Sequence, residues 1–328
     1  MPILPDLLVP DVAVPASLPT PSWLAARPVV LDVGGPVRVL DFGGPADAPL
    51  LLCLHGLGGS ALNFAVVGPA LASAFRVVAL DLPGHGGSRA TPLPRQAGRR
   101  APSALLDCLD VVQGLLADQE RYPVLLGHSL GGILALLHAT RSPGRLGGLV
   151  LLAPPVARAC GRRIDPRLAA RHALLSAPGV RRLVSGRVAS ASAHDLVRMQ
   201  IEQATPDPGA VPADVVAAAI AEEAARPGRA EAARTQWDAI VGVVALLARP
   251  ARFHALLRGL DVPALWLQGD EDPRAPVASA RALAHSLPAW AYAERNGVGH
   301  LPHLEDPAWV VDRIEEWARP EGGPTWPR

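Results

Sequence analysis

The chain predicts an α/β fold: a mainly parallel, eight-stranded sheet flanked by helices, with a helical lid inserted into it. Three observations lead there. Short, wholly apolar runs alternate with stretches of helical apolar spacing, as in a parallel sheet covered on both faces. Several of those runs break abruptly into polar, glycine-rich sequences, where open α/β sheets place their chemistry. From about residue 156 to 248 the strand pattern stops and alanine-rich helical stretches replace it.

Taken in order, residues 1–27 carry prolines at 2, 5, 10, 15, 19 and 21, which predicts an extended arm anchored by Leu7, Leu8, Val9 and Trp23. Residues 29–33 and 37–42 flank the Gly34-Gly35-Pro36 turn and predict an edge hairpin. Residues 50–54 and 75–80 are apolar strands ending in HGLGGS at 55–60 and DLPGHGGS at 81–88. A polar loop is expected at 89–100, then a helix over 102–118 with Leu105, Leu106, Leu109, Val112 and Leu115 on one face. Val124 to Leu126 lead through GHSLGG, 127–132, into a second helix, and 146–152 forms the next strand.

Helices at 166–175, 180–186, 192–203, 212–225 and 229–248, broken by Pro-Gly sequences, are expected to form the lid over 156–249, with the core at 28–155 and 250–328. Leu174, Leu183, Met199, Ile201, Val215 and Trp237 suggest an apolar roof, although packing of the lid on the core demands the same residues, and an apolar acyl group of short to medium length is expected. A helix at 250–259, a strand at 264–267 ending in GDEDP, a helix at 276–286, an edge strand near 289–293, a loop at 296–303 and a closing helix at 307–317 complete the core. Residues 319–328 read as a tail.

Composition excludes several classes of function. A chain of 328 residues, 49% of them hydrophobic, can bury a large core. A formal charge of +1, from 31 basic and 30 acidic residues, gives no electrostatic footprint for nucleic acid, and the four Phe and two Tyr provide no stacking platform. Every basic residue is arginine, a compositional bias without functional meaning here. The three cysteines, Cys53, Cys108 and Cys160, form no C-x-x-C, so neither a disulfide framework nor a metal site is expected. No apolar stretch reaches the roughly 18 residues of a membrane span. The N-terminus lacks the charged and apolar regions of a secretory signal, and a cytoplasmic protein is expected.

Chemistry concentrates at the loop ends. In G-x-S-x-G, the glycines flanking Ser129 permit a tight strand-to-helix turn that lifts its hydroxyl clear of the backbone. A serine nucleophile needs a base, and His300 in GVGHLPH is the best candidate, with His303 its local competitor; His128 reads as a packing residue pointing away along the turn. The imidazolium formed needs a carboxylate, which Asp272 in GDEDP supplies ahead of Asp270 and Glu271. The developing oxyanion needs donors, expected from the backbone amides of Leu130, at the helix start, and Leu57, whose side chains would then line the acyl pocket. No cofactor or metal enters this chemistry.

HGLGGS, DLPGHGGS, GHSLGG, GDEDP and GHLPHLEDP, in that order, resemble the successive blocks of the α/β-hydrolase superfamily, in its lid-bearing branch of serine esterases. The resemblance covers about 28–155 and 250–318. It implies Ser129 as nucleophile, Asp272 as acid, His300 as base, Leu57 and Leu130 as the oxyanion hole, and Asp81, Gly84, His85 and Gly86 as a structural turn beneath the site. It also implies a small-molecule acyl substrate: most relatives cleave carboxylic esters, while others process thioesters, amides, lactones or carbon-carbon bonds, or perform perhydrolysis. A non-catalytic ligand receptor of the same fold is the alternative from another class.

Overall fold

A computed structural model describes residues 21–88, 103–116, 122–157, 164–177, 179–226 and 228–319. Most of the expected N-terminal arm, the loop at 89–100, Cys160 and nearly all of the tail lie outside the described residues.

Eight strands form one sheet: β1 (Arg27–Asp32), β2 (Pro36–Gly43), β3 (Leu50–Leu54), β4 (Arg76–Leu80), β5 (Val124–His128), β6 (Gly148–Leu152), β7 (Ala264–Gly269) and β8 (Ala291–Arg295). Their order is β1-β2-β4-β3-β5-β6-β7-β8. The hairpin of β1 and β2 is antiparallel and joins β4 antiparallel, whereas every pair from β4 to β8 is parallel. The helices are α1 (Val67–Leu71), α2 (Ser103–Leu116), α3 (Leu130–Arg141), α4 (Pro166–Leu175), α5 (Val180–Ser190), α6 (Ala193–Glu202), α7 (Ala213–Ala225), α8 (Arg229–Leu247), α9 (Pro250–Arg258), α10 (Val277–His285), α11 (Pro302–Glu305) and α12 (Pro307–Ala318).

Strand alternation divides the interior in two. Leu50, Leu52 and Leu54 of β3, Leu125 of β5, Leu149 and Leu151 of β6 and Trp266 of β7 pack under α2, α3, α9 and α10. Leu51, Cys53, Leu126, Val150, Leu152, Leu265 and Leu267 face the opposite side, against α1 and α12. β3, β5, β6 and β7 are buried throughout, which is why they carry unbroken apolar runs instead of alternation. Cys53 and Cys108 are buried free thiols, and burial pushes Cys108 up to about 12.

Helices α4 to α8 enter between β6 and β7 as an inserted helical region. α4 and α5 pack on α8, and α6 packs on α7. Local signals set their ends: Asp165 caps the Arg167 and Leu168 amides of α4, and Ser192 caps the Asp195 amide of α6. A small cluster of Ala204, Val211 and Val215 from this region with Leu301 and Leu304 fastens it over the last loop of the core. Among the described residues no single helix is long and apolar enough to cross a membrane.

Candidate active site

The site is built around the junction of β5 and α3. Ser129 occupies it at φ 50° and ψ −112°, a left-handed conformation that side-chain-bearing residues adopt only under constraint. Its amide donates to the Leu152 carbonyl at 2.9 Å and its carbonyl accepts from the Ile133 amide at 3.1 Å, so sheet and helix fix the turn from both sides. The flanking glycines are sterically required: a Cβ on Gly127 would sit 2.5 Å from the Gly131 carbonyl carbon, and one on Gly131 would meet the Leu54 carbonyl oxygen.

Three loop ends converge there. The His300 Nε2 lies 2.9 Å from the Ser129 Oγ, and its Nδ1 lies 2.8 Å from the Asp272 Oδ2. With the proton on Nδ1 directed at the carboxylate, Nε2 is free to accept from the serine hydroxyl. Asp272 is held from both oxygens: Oδ2 also accepts from Gln268 Nε2 at 2.7 Å, and Oδ1 accepts from the Arg274 and Ala275 amides at 2.7 and 2.8 Å. Asp270 instead accepts from the Gly297 amide, and Glu271 is exposed. His303 is stacked on Phe64 and tilted against His128, both ring nitrogens have no hydrogen-bond partner among the described residues, and burial pushes it down to about 3. Of the competing acids and histidines, only Asp272 and His300 join Ser129 in one hydrogen-bonded chain.

Two expectations are corrected. His128 does not point away: its ring lies 5.1 Å from that of His300, and its Nε2 donates to the His300 carbonyl at 2.8 Å. The strand end aims alternate side chains at the loops above it, and position 128 meets the base loop. Leu130 heads α3, where its amide has no intrahelical partner, but its side chain is turned into the core cluster and does not line the cleft as that of Leu57 does.

The loop carrying Leu57 is braced by His55, whose Nδ1 donates to the Gly56 carbonyl at 2.7 Å and whose Nε2 accepts from the Leu82 amide at 3.1 Å. Burial pushes His55 down to about 4, so it stays neutral and keeps both bonds near neutral pH. Beneath it Asp81 accepts from the Ala61 and Gly87 amides, each at 2.7 Å, and from the Arg38 Nε at 2.5 Å. Arg38 also pairs with Glu222 of α7, tying the sheet to the inserted region.

That region roofs the cleft over Ser129. Ile201 and Val215 line it as expected, but Leu174, Leu183 and Met199 are exposed and Trp237 packs within the region, its indole donating to the Leu175 carbonyl. The roof is accordingly less apolar than the helix sequences suggest, and Gln200, Glu222, Glu223, Arg226 and Arg229 contribute to it.

The sequence profile described as "Alpha/beta hydrolase family" matches residues 51–313, which spans both halves of the sheet and the inserted helices. The chain belongs to the α/β-hydrolase family. It is 30% identical over 280 residues to a 2-succinyl-6-hydroxy-2,4-cyclohexadiene-1-carboxylate synthase of Salmonella paratyphi C (strain RKS4594), covering 84% of this chain and 96% of that protein. It is 41% identical over 130 residues to the dihydrolipoyllysine-residue acetyltransferase component of an acetoin cleaving system of Pseudomonas putida, but covers 38% of this chain and spans only 32% of that longer protein. The solved structure of a thermophilic esterase from Thermogutta terrifontis shares the fold, with a TM-score of 0.66 at 24% identity over 89% of this chain and 98% of that one.

Sequence reasoning missed the groups that support the α/β-hydrolase site from behind. Glu305 accepts from the Gly299 and Leu301 amides, both at 2.8 Å, and from the Thr205 hydroxyl at 2.6 Å, while the His300 amide donates to the Ala204 carbonyl at 2.7 Å. The histidine loop is therefore clamped between α11 and the inserted helices. Only the closeness of Glu305 to the GHLPH sequence hinted at this.

Proposed function

We propose that this α/β-hydrolase cleaves small or medium, mainly apolar carboxylic esters through an acyl-enzyme formed on Ser129. As the hydroxyl attacks the acyl carbon, its proton passes to His300 Nε2, and the imidazolium is stabilised by Asp272 through Nδ1. The Leu57 and Leu130 amides receive the negative charge that collects on the carbonyl oxygen. Collapse breaks the bond to the leaving alcohol, which takes the proton from His300. Water then repeats the sequence: it loses a proton to His300, adds to the acyl carbon and releases the acid, returning the proton to Ser129 Oγ.

The observation carrying this reading is the continuous bonding from Asp272 Oδ2 through the His300 ring to Ser129 Oγ, at 2.8 and 2.9 Å. A hydroxyl bonded to an imidazole whose far side holds a buried carboxylate is prepared to lose its proton. The same arrangement serves thioesters, amides and lactones, so the ester is the preferred substrate rather than a unique one.

One observation favours a second reading. The Salmonella relative matched over nearly its whole length is named as a synthase, not a hydrolase. On that reading the same serine, histidine and aspartate serve a reaction other than ester hydrolysis. A fluorophosphonate probe followed by peptide mass spectrometry, together with p-nitrophenyl ester turnover, separates the two. Label on Ser129 and turnover reduced at least about a thousandfold in folded Ser129→Ala are expected for the esterase. Ester turnover surviving in that variant, or label on another residue, removes Ser129 as nucleophile.

A further inference from the structure

The roof of the cleft carries an imbalance of charge. Glu222 and Glu223 supply the acids, and Arg226, Arg229 and Arg274 supply the bases. Glu222 is engaged by Arg38, which Asp81 holds from its other side. Glu223 is shared, its Oε2 2.9 Å from Arg226 and its Oε1 3.3 Å from Arg229. Arg274 has no carboxylate within ion-pair distance among the described residues; its Nε and one terminal nitrogen donate to the Gln203 and Gln200 carbonyls at 3.3 and 3.0 Å. The pair Arg226 and Arg229 therefore shares one carboxylate, whereas Arg38 is shared by two, so the pair itself holds one more positive charge than its own partner balances.

Arg226 is the less ordinary member. It is only 8% exposed and its Nε is buried with no hydrogen-bond partner among the described residues. A guanidinium withdrawn from water ordinarily has its donors satisfied, because a buried donor without a partner loses its hydrogen bonds to water and gains nothing in return. Arg229 is anchored through the Ala191 carbonyl at 2.7 Å, which fixes one edge of the pair. The same cleft is lined by Ser129 and by the apolar side chains of Leu57, Ile201 and Val215.

We infer that the cleft selects substrates bearing a carboxylate remote from the bond attacked, received by Arg226 and Arg229 where α7 gives way to α8. This inference rests on the ester-hydrolase reading for the bond cleaved, and adds the substrate class. A carboxylate fits better than a phosphate monoester because the pair holds one surplus charge and a planar guanidinium matches a planar anion. The apolar lining accommodates the carbon skeleton between the two ends.

The test pairs activated p-nitrophenyl hemi-esters of linear dicarboxylic acids of increasing length with the same esters methyl-capped at the far carboxyl. At one or more lengths the free acid should exceed its capped partner in kcat/KM by about tenfold or more, mainly through KM. Arg226→Gln should bring that ratio close to one, and Arg226→Lys should restore part of it. Binding is read separately by calorimetry of the free dicarboxylates with Ser129→Ala, which should weaken about tenfold when Arg226→Gln is added. Should Arg226→Gln fail to melt cooperatively, Arg229→Gln, on the less buried member of the pair, gives the same two readouts.

Equal kcat/KM for free and capped esters at every length, with no dicarboxylate binding, overturns the carboxylate site and leaves ester hydrolysis standing. Binding that persists unchanged in both arginine variants also overturns it. Binding that the arginine variants abolish, in a protein that hydrolyses none of the esters, sustains the site and removes the esterase reading.

Discussion

Gln268 illustrates how much of the candidate site depends on residues that touch no substrate. Its amide could face Asp272 with either oxygen or nitrogen, and only the nitrogen helps a carboxylate. Trp266 decides the matter: its indole N–H donates to Gln268 Oε1 at 3.2 Å, turning Nε2 toward Asp272 Oδ2 at 2.7 Å. Gln268→Ala removes one donor from the acid and leaves a buried indole N–H unsatisfied. Because sub-ångström displacement of an aligned base is costly, kcat should fall about ten- to a hundredfold with little change in KM. Stopped-flow ester hydrolysis that separates kcat from KM checks this; a rise confined to KM would place Gln268 in substrate binding instead. The positioning residues were not legible in the sequence, although Ser129, Asp272 and His300 were. Each of those three stands in a motif, whereas the role of His128 depends on a carbonyl 172 positions away.

At the level of elements, legibility followed burial. β3, β5, β6 and β7 are buried on both faces and announce themselves as apolar runs. β8 lies two residues beyond its expected place because it is an edge strand of exposed and half-buried residues, with no apolar run to mark its ends. The four residues of α11 and the 3-10 turn Ala61–Phe64 complete too little helix to show a period. The junction of β5 with α3 was legible because only glycine fits its closest approach. Gly131→Ala drives a methyl group into the Leu54 carbonyl, part of rigid β3, so α3 must retreat from the sheet. The expected cost is about 2 kcal/mol of stability, read as a lowered Tm, with ester turnover falling as Ser129 moves off His300. Gly114→Ala, on α2 where an added methyl group meets nothing within 4 Å, is the control: it should leave turnover unchanged and raise Tm slightly, since alanine is the better helix former.

Taken whole, the molecule buries an unusual number of neutral imidazoles near its candidate site, and their shared sign sets its response to acid. His55, His85, His128 and His303 are all depressed from the ordinary histidine value of 6.5, in each case chiefly by burial: His55 to about 4, His303 to about 3, the other two well below the usual range. Above pH 6.5 these groups are neutral in the folded and unfolded chain alike and stability does not depend on them. Below it, the unfolded chain takes up protons that the folded one refuses, so stability falls by up to about 1.4 kcal/mol per pH unit for each histidine. That loss continues until the folded groups themselves titrate, near pH 4 for His55 and near pH 3 for His303. Glu222 works in the opposite sense, since burial raises it and its protonation on acidification favours the folded state, but it stands against these four and against His138 and His254, which burial also lowers. Calorimetric scans should give a Tm that is level from pH 8 to 7 and descends steeply from 6.5 to 4. His303→Leu removes one titrating group whose ring nitrogens make no hydrogen bond among the described residues, so it should flatten that descent without lowering Tm at pH 7. A Tm that stays level down to pH 5 would mean that these rings reach solvent and accept protons in the folded protein.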